Sequence, residues 1–275
     1  MLGEVLTAVV TPFDERGAID VARFRTLCRF LVESGSDGVV VAGTTGESPT
    51  LTDDERLTLI AAAVDEVGDA HTVVAGTGTY ATAHSVHLTA RAHELGADGF
   101  LVVTPYYNKP PPRGIVEHFK AVAAETDRPI VVYNIPARVV INIEPETIAR
   151  LAEIPNVVAV KQAHDDLAQA RRIVELGGIG GVCVHTHVVG PRVKEQVRRT
   201  RDGDVEAGRQ LDAELSPAYD LLKVAPNPIA IKCALELLGH EVGGLRLPLV
   251  EATDAERESV RACLERLKLL EPATV

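Results

Sequence analysis

Apolar residues in this chain gather into short unbroken runs. They are "VLTAVV" (5–10), "GVVVAG" (38–43), "HTVVAG" (71–76), "GFLVVTP" (99–105), "PIVVYN" (129–134), "VVAVK" (157–161) and "GVCVHT" (181–186). Runs apolar throughout, rather than alternating, predict parallel strands covered on both faces. Stretches of helical period lie between most of them, at 20–33, 52–67, 82–95, 114–125 and 145–153. The junctions repeat as well: "ESGSDG" (33–38), "ELGADG" (94–99) and "ELGGIG" (175–180) each read as a helix end running into a strand. The first glycine of each can take the left-handed conformation that closes a helix. "TDDE" (52–55) reads as a capping box, with Thr52 as N-cap and Glu55 at N3.

A βα unit repeated without a break in composition predicts a (β/α)₈ TIM barrel, with a doubly wound sheet as the alternative. The lack of a GxGxxG turn or a P-loop weakens a nucleotide-binding reading. Seven strands are visible where a barrel wants eight. After residue 190 every segment reads as helix. The expected organisation is therefore a barrel over 1–190, then its last helix and a C-terminal helical extension over 191–275.

Composition narrows the function. Net charge is −11, which argues against nucleic acid and anionic membrane as partners. Cys28, Cys183, Cys233 and Cys263 form no CxxC pair, which fits a reduced, cytoplasmic protein. The N-terminus "MLGEVLTAVVTPF" reads as a first strand rather than a signal peptide, and no apolar run approaches membrane-spanning length.

Barrels gather their chemistry at the C-terminal ends of the strands. Those ends supply Thr44, Thr45 and Ser48 from "GTTGES", Tyr106 and Tyr107 from "TPYYNKP", Tyr133 and Arg138 from "YNIPAR", and Lys161. A buried ammonium is costly, and burial shifts its pKa down toward a nucleophilic range. A neutral lysine forms a Schiff base with a ketone, and the iminium is an electron sink. A phenol and a threonine hydroxyl can relay protons, and a glycine-rich turn can hold a carboxylate. Arg138 could hold a second carboxylate bidentately. Each feature also has a plainer reading: a snorkelling lysine, a turn before a helix, interface aromatics, a surface ion-pair arginine. "HTH" (185–187) has the i, i+2 spacing of a metal pair on a strand, but with no third ligand no metal is expected. The acidic runs "TDDE" and "HDDL" (164–167) read as helix N-termini.

The motifs "TAVVTPF", "GTTGES", "GTGT", "TPYYNKP", "YNIPAR", "VVAVK" and "PNPIAIK" (226–232), in this order and over nearly the whole chain, resemble the dihydrodipicolinate synthase family. That family is a branch of the pyruvate-dependent lysine aldolases, which include N-acetylneuraminate lyase. The resemblance implies that Lys161 carries pyruvate as a Schiff base and that Tyr133 is the central acid/base, hydrogen-bonded to Thr44. It also implies that Tyr107 of a neighbouring subunit completes the relay, that Thr45 binds the pyruvate carboxylate, that Arg138 receives the carboxylate of aspartate semialdehyde, and that the main chain of Val182 lies near pyruvate. The implied reaction is condensation of pyruvate with L-aspartate 4-semialdehyde, without cofactor, in a homotetramer built as a dimer of dimers.

Two departures stand out. Between "RRIV" (171–174) and "ELGG" (175–178) the family carries a further strand and turn, roughly twenty residues, so the missing strand is the seventh. Either a segment is absent from the sequence as read, or the barrel has an open seam of unpaired backbone groups and a weakened or inactive site. At the positions of the family's lysine-inhibition site stand Asp53, Arg56, Tyr80 and His84, beside Ser48 and Tyr106, which match. This set implies weak or absent feedback inhibition by lysine. Two alternatives stay open: another pyruvate aldolase acting on a sugar acid or 4-hydroxy-2-oxoglutarate, and a non-catalytic barrel.

Overall fold

The computed structural model describes residues 2–163 and 181–271. The expected apolar runs form β1 (Val5–Ala8), β2 (Gly38–Val41), β3 (Thr72–Gly76), β4 (Gly99–Val103), β5 (Ile130–Asn134), β6 (Val157–Gln162) and β7 (Gly181–Cys183). All pair in parallel in one sheet, ordered β6-β5-β4-β3-β2-β1-β7. The last strand thus returns to lie beside the first, with Leu6 opposite Val182. Among the described residues the sheet does not close, because β6 and β7 each pair on one side only.

Alternation along each strand divides the core in two. Leu6, Ala8, Val40, Val74, Leu101, Val131 and Tyr133 pack together inside the curved sheet, with Val182 and Ala163 against them. The intervening residues, such as Val39, Val41, Val73, Phe100 and Val102, pack outward against the helices. These include α1 (Val21–Glu33), α2 (Asp53–Val67), α3 (Thr82–Glu94), α4 (Pro112–Ala123), the single turn α5 (Pro136–Val139) and α6 (Pro145–Leu151). The capping box at the start of α2 forms as expected: Thr52 accepts from the Glu55 N–H while the Glu55 carboxylate accepts from the Thr52 N–H. Gly35 and Gly96 take left-handed φ of +95° and +90° at the junctions after α1 and α3. The junction and acidic run at 175–180 and 164–167 lie outside the described residues.

Five helices follow β7: α7 (Thr186–Arg201), α8 (Val205–Glu214), α9 (Ser216–Val224), α10 (Ile229–Leu237) and α11 (Asp254–Arg266). The α7 helix docks on β1 through a cluster of Val5, Val189, Val193, Leu215, Ala218 and Leu267, while the buried residues of α10 join the main core. The helix α7 runs through the expected division at 190/191.

Two readings need correction. The strand expected at 181–186 ends at Cys183, and "HTH" is not extended: His185 caps α7 and His187 lies in its first turn. The β-branched run concealed a helix start, because the His187 ring closes it by bonding the Val184 carbonyl (2.7 Å). Burial pushes both imidazoles down to about 4. No group of three metal-ligating side chains occurs among the described residues. The strand β6 was expected to be buried, yet Val158 is 57% exposed. It lies at an edge of the described sheet, and of its six residues only Val157 is buried. Among the described residues no helix is long and apolar enough to cross a membrane, and all four cysteines are free.

Candidate active site

Parallel pairing of β5 with β6 sets Tyr133 beside Lys161 in register. Since Tyr133 points into the barrel, its register partner shares that face. Lys161 Nζ lies 4.3 Å from the centre of the Tyr133 ring. Burial lowers its pKa to about 8, against a small opposing effect of the Cys183 thiol. At pH 7 about a tenth of such an amine is neutral, against well under a thousandth for an ordinary lysine. Burial also raises the pKa of the Tyr133 phenol, while its hydrogen bond with Thr44 and the nearby Arg138 charge oppose the rise.

Local structure fixes these groups. The Tyr133 carbonyl accepts from both the N–H and the hydroxyl of Thr104, at 3.0 and 2.9 Å, which ties the ends of β4 and β5. Asn134 is fully buried. Its amide donates to Asn142 and Gln162, and its oxygen accepts from the Ile143 N–H, which frames the turn that carries Arg138. The "GTTGES" turn is held by Glu47, which has a left-handed φ of +56°. The Glu47 carboxylate is buried and pairs with the ammonium of Lys232 at 2.7 Å. Lys232, on α10, also donates to the Gly244 carbonyl at 2.6 Å and lies over the Phe13 ring. The other Glu47 oxygen accepts from the Arg246 N–H.

A cavity of about 280 Å³ opens above the strand ends, lined in part by Thr44, Tyr106, Tyr133 and Arg138. Lys161 and Thr45 do not line it. Lys161 stands against the Tyr133 ring, and Thr45 is buried beneath the turn, 2% exposed. Arg138 is exposed and donates to the main-chain carbonyl of Asn227 at 3.0 Å. The Asn227 side chain in turn donates to Thr45 Oγ1 at 2.9 Å. Tyr107 joins none of these groups. It is 88% exposed, with a left-handed φ of +65°. The Val182 side chain packs against the inner cluster of the curved sheet.

The candidate lysine-inhibition residues also come together. The His84 imidazole hydrogen-bonds both oxygens of Asp53 at 2.9 Å, and Arg56 donates to the Ser48 carbonyl at 2.6 Å. The Tyr80 and Tyr106 rings meet edge to face at 5.6 Å.

Residue-level reading missed Glu47, Lys232 and Asn227. Their signal was the motif "PNPIAIK" itself, a polar Asn and Lys at the start of an otherwise apolar helix.

This barrel, with its lysine and tyrosine at adjacent strand ends, matches the dihydrodipicolinate synthetase family model over residues 1–176 and 169–267. The chain belongs to that family. The 4-hydroxy-tetrahydrodipicolinate synthase of Desulforudis audaxviator is 44% identical over 289 residues, covering 98% of this chain and 98% of that protein. The solved synthase of Cyanidioschyzon merolae with lysine bound superposes with a TM-score of 0.94 at 38% identity, over 98% of this chain and 99% of that one. The chloride-inhibited synthase of Acinetobacter baumannii, complexed with pyruvate, gives 0.95 at 30% identity, over 98% and 100%. The family's members are enzymes, and so is this chain.

Proposed function

We propose that this chain condenses pyruvate with L-aspartate 4-semialdehyde to give 4-hydroxy-tetrahydrodipicolinate, through an imine on Lys161. The observation that carries the reading is the Lys161 amine set 4.3 Å from the Tyr133 ring at adjacent strand ends, where burial favours its neutral form. Neutral Lys161 adds to C2 of pyruvate, and loss of water from the carbinolamine gives the imine. Tyr133, linked to Thr44, protonates the carbinolamine hydroxyl, which leaves as water, and then takes a proton from the methyl carbon to give the enamine. The enamine carbon attacks the aldehyde, the iminium re-forms, and Tyr133 returns its proton to the aldehyde oxygen, which becomes the 4-hydroxyl. The amine of the second substrate then displaces Lys161 from C2 and closes the ring. Thr45 holds the pyruvate carboxylate, the main chain of Val182 lies alongside, and Arg138 at the cavity mouth receives the carboxylate of the semialdehyde.

Tyr107 points into solvent within its own chain. Its strained backbone and 88% exposure suit a side chain donated across an interface, as in a homotetramer built as a dimer of dimers. The sequence between β6 and β7 runs roughly twenty residues short of the family's, at the place where the resemblance puts a seventh strand. In support, the family match breaks into two segments that overlap at 169–176, and the alignment to the Desulforudis protein is longer than this chain. The expected cellular setting is the cytoplasm.

Incubation with both substrates and detection of the cyclic product tests the reading. Arg138→Ala is expected to raise KM for aspartate semialdehyde at least about tenfold, since a charge-assisted pair is lost. Turnover of a sugar-acid aldehyde in preference to the semialdehyde, with Arg138→Ala silent, favours the other aldolases and contradicts the reading.

Lysine is expected to inhibit weakly or not at all. His84 and Asp53 satisfy each other, and the Arg56 cation, which lines the active-site cavity, repels an ammonium. An activity titration with L-lysine checks this, and half-inhibition well below millimolar contradicts it.

A further inference from the structure

Asn227 touches the partners of both substrate carboxylates without lining the cavity. Its side-chain N–H donates to Thr45 Oγ1 at 2.9 Å, while its main-chain carbonyl accepts from Arg138 at 3.0 Å. Its amide oxygen is buried with no partner among the described residues. A buried amide kept only for stability would satisfy both ends. Here the nitrogen is spent on Thr45, and the oxygen is left unpaired to do it.

A threonine hydroxyl has one proton and two lone pairs. When a lone pair accepts from Asn227, the hydroxyl proton is left free to point elsewhere. We propose that Asn227 is a positioning residue for the keto-acid substrate: its side chain turns the Thr45 hydroxyl into a donor for the pyruvate carboxylate. Its carbonyl independently orients Arg138 for the second carboxylate. The proposal rests on the reading of Thr45 as the pyruvate-carboxylate ligand.

The two roles separate on mutation, because Asn227→Ala removes the side-chain donor but keeps the carbonyl. Half-saturating pyruvate, read from the borohydride-trapped adduct on Lys161, is expected to rise about three- to tenfold, the worth of one hydrogen bond. KM for aspartate semialdehyde stays within about twofold, which a merely structural role would not permit. In a Thr45→Val background the same substitution adds nothing, since Asn227 acts through the Thr45 oxygen. Asn227→Asp keeps the shape but accepts the Thr45 proton instead of donating, so its half-saturation exceeds that of Asn227→Ala. This second variant carries the test if the alanine variant fails to fold.

An additive double mutant, equal rises for both substrates, or an aspartate variant that binds pyruvate as well as wild type each overturn the inference. Wild-type protein that forms no adduct at any pyruvate concentration overturns the reaction reading, and this inference with it. An adduct in wild type whose half-saturation Asn227→Ala leaves unchanged overturns this inference alone.

Discussion

Replacing Lys161 with methionine is expected to abolish turnover while raising the melting temperature. Loss of a covalent nucleophile costs on the order of 10⁴–10⁶ in rate. Stability moves the other way because the folded chain holds this ammonium in a place that disfavours charge. Its folded pKa of about 8 lies below the ordinary value of 10.5. Below pH 8 both folded and unfolded chains carry the proton, so the full penalty of burying it is present. Between pH 8 and 10.5 the folded chain has released the proton and the unfolded chain has not, so stability rises with pH. Above 10.5 the penalty is gone. The methionine variant therefore gains most over wild type near neutrality and least in strong base. Melts at pH 7 and pH 10.5, beside an activity assay, check both halves. A variant that melts lower at pH 7, or that still turns over, contradicts them.

The opposite result is expected for the other buried lysine. Lys232 is 2% exposed and pairs with the fully buried Glu47 carboxylate at 2.7 Å. Lys232→Met leaves that carboxylate without its counter-charge, a loss of about 3–5 kcal/mol for a broken buried pair. The melting temperature falls by roughly 5–15 °C, the scale for a chain of this size. Glu47→Gln combined with Lys232→Met recovers most of the loss, because no lone charge then remains buried. Activity falls in the single variant as well, since Glu47 anchors the turn that carries Thr44 and Thr45. Thermal melts of the single and double variants measure this. Equal losses in the two would show that the pair does not act as a unit.

These two lysines show what the sequence could disclose. Lys161 announced itself, because a cation ending an apolar strand is locally inconsistent and points to function. Lys232 gave no such signal. In "NPIAIK" it reads as an ordinary polar residue on a helix face, and its partner Glu47 lies far back in the chain. Only the topology, which lays α10 against the "GTTGES" turn, brings them together. Asn227 escaped for the same reason. The strands were legible as continuous apolar runs because both faces of a parallel sheet are covered. That logic failed at β6, an edge among the described residues, and at "HTH", where β-branched neighbours masked a helix start. Thr44 and Tyr133 were legible by their places at strand ends. The 88% exposure of Tyr107 was not, since nothing in "TPYYNKP" says which tyrosine turns outward.

The whole account depends on Lys161 being dry enough to lose its proton near neutral pH. The most direct measurement is the rate at which pyruvate and borohydride trap Lys161, followed by mass, as pH is varied. The expected curve rises with a midpoint near pH 8, and Lys161→Met gives no adduct. A midpoint near 10.5, or a label on another lysine, would contradict it.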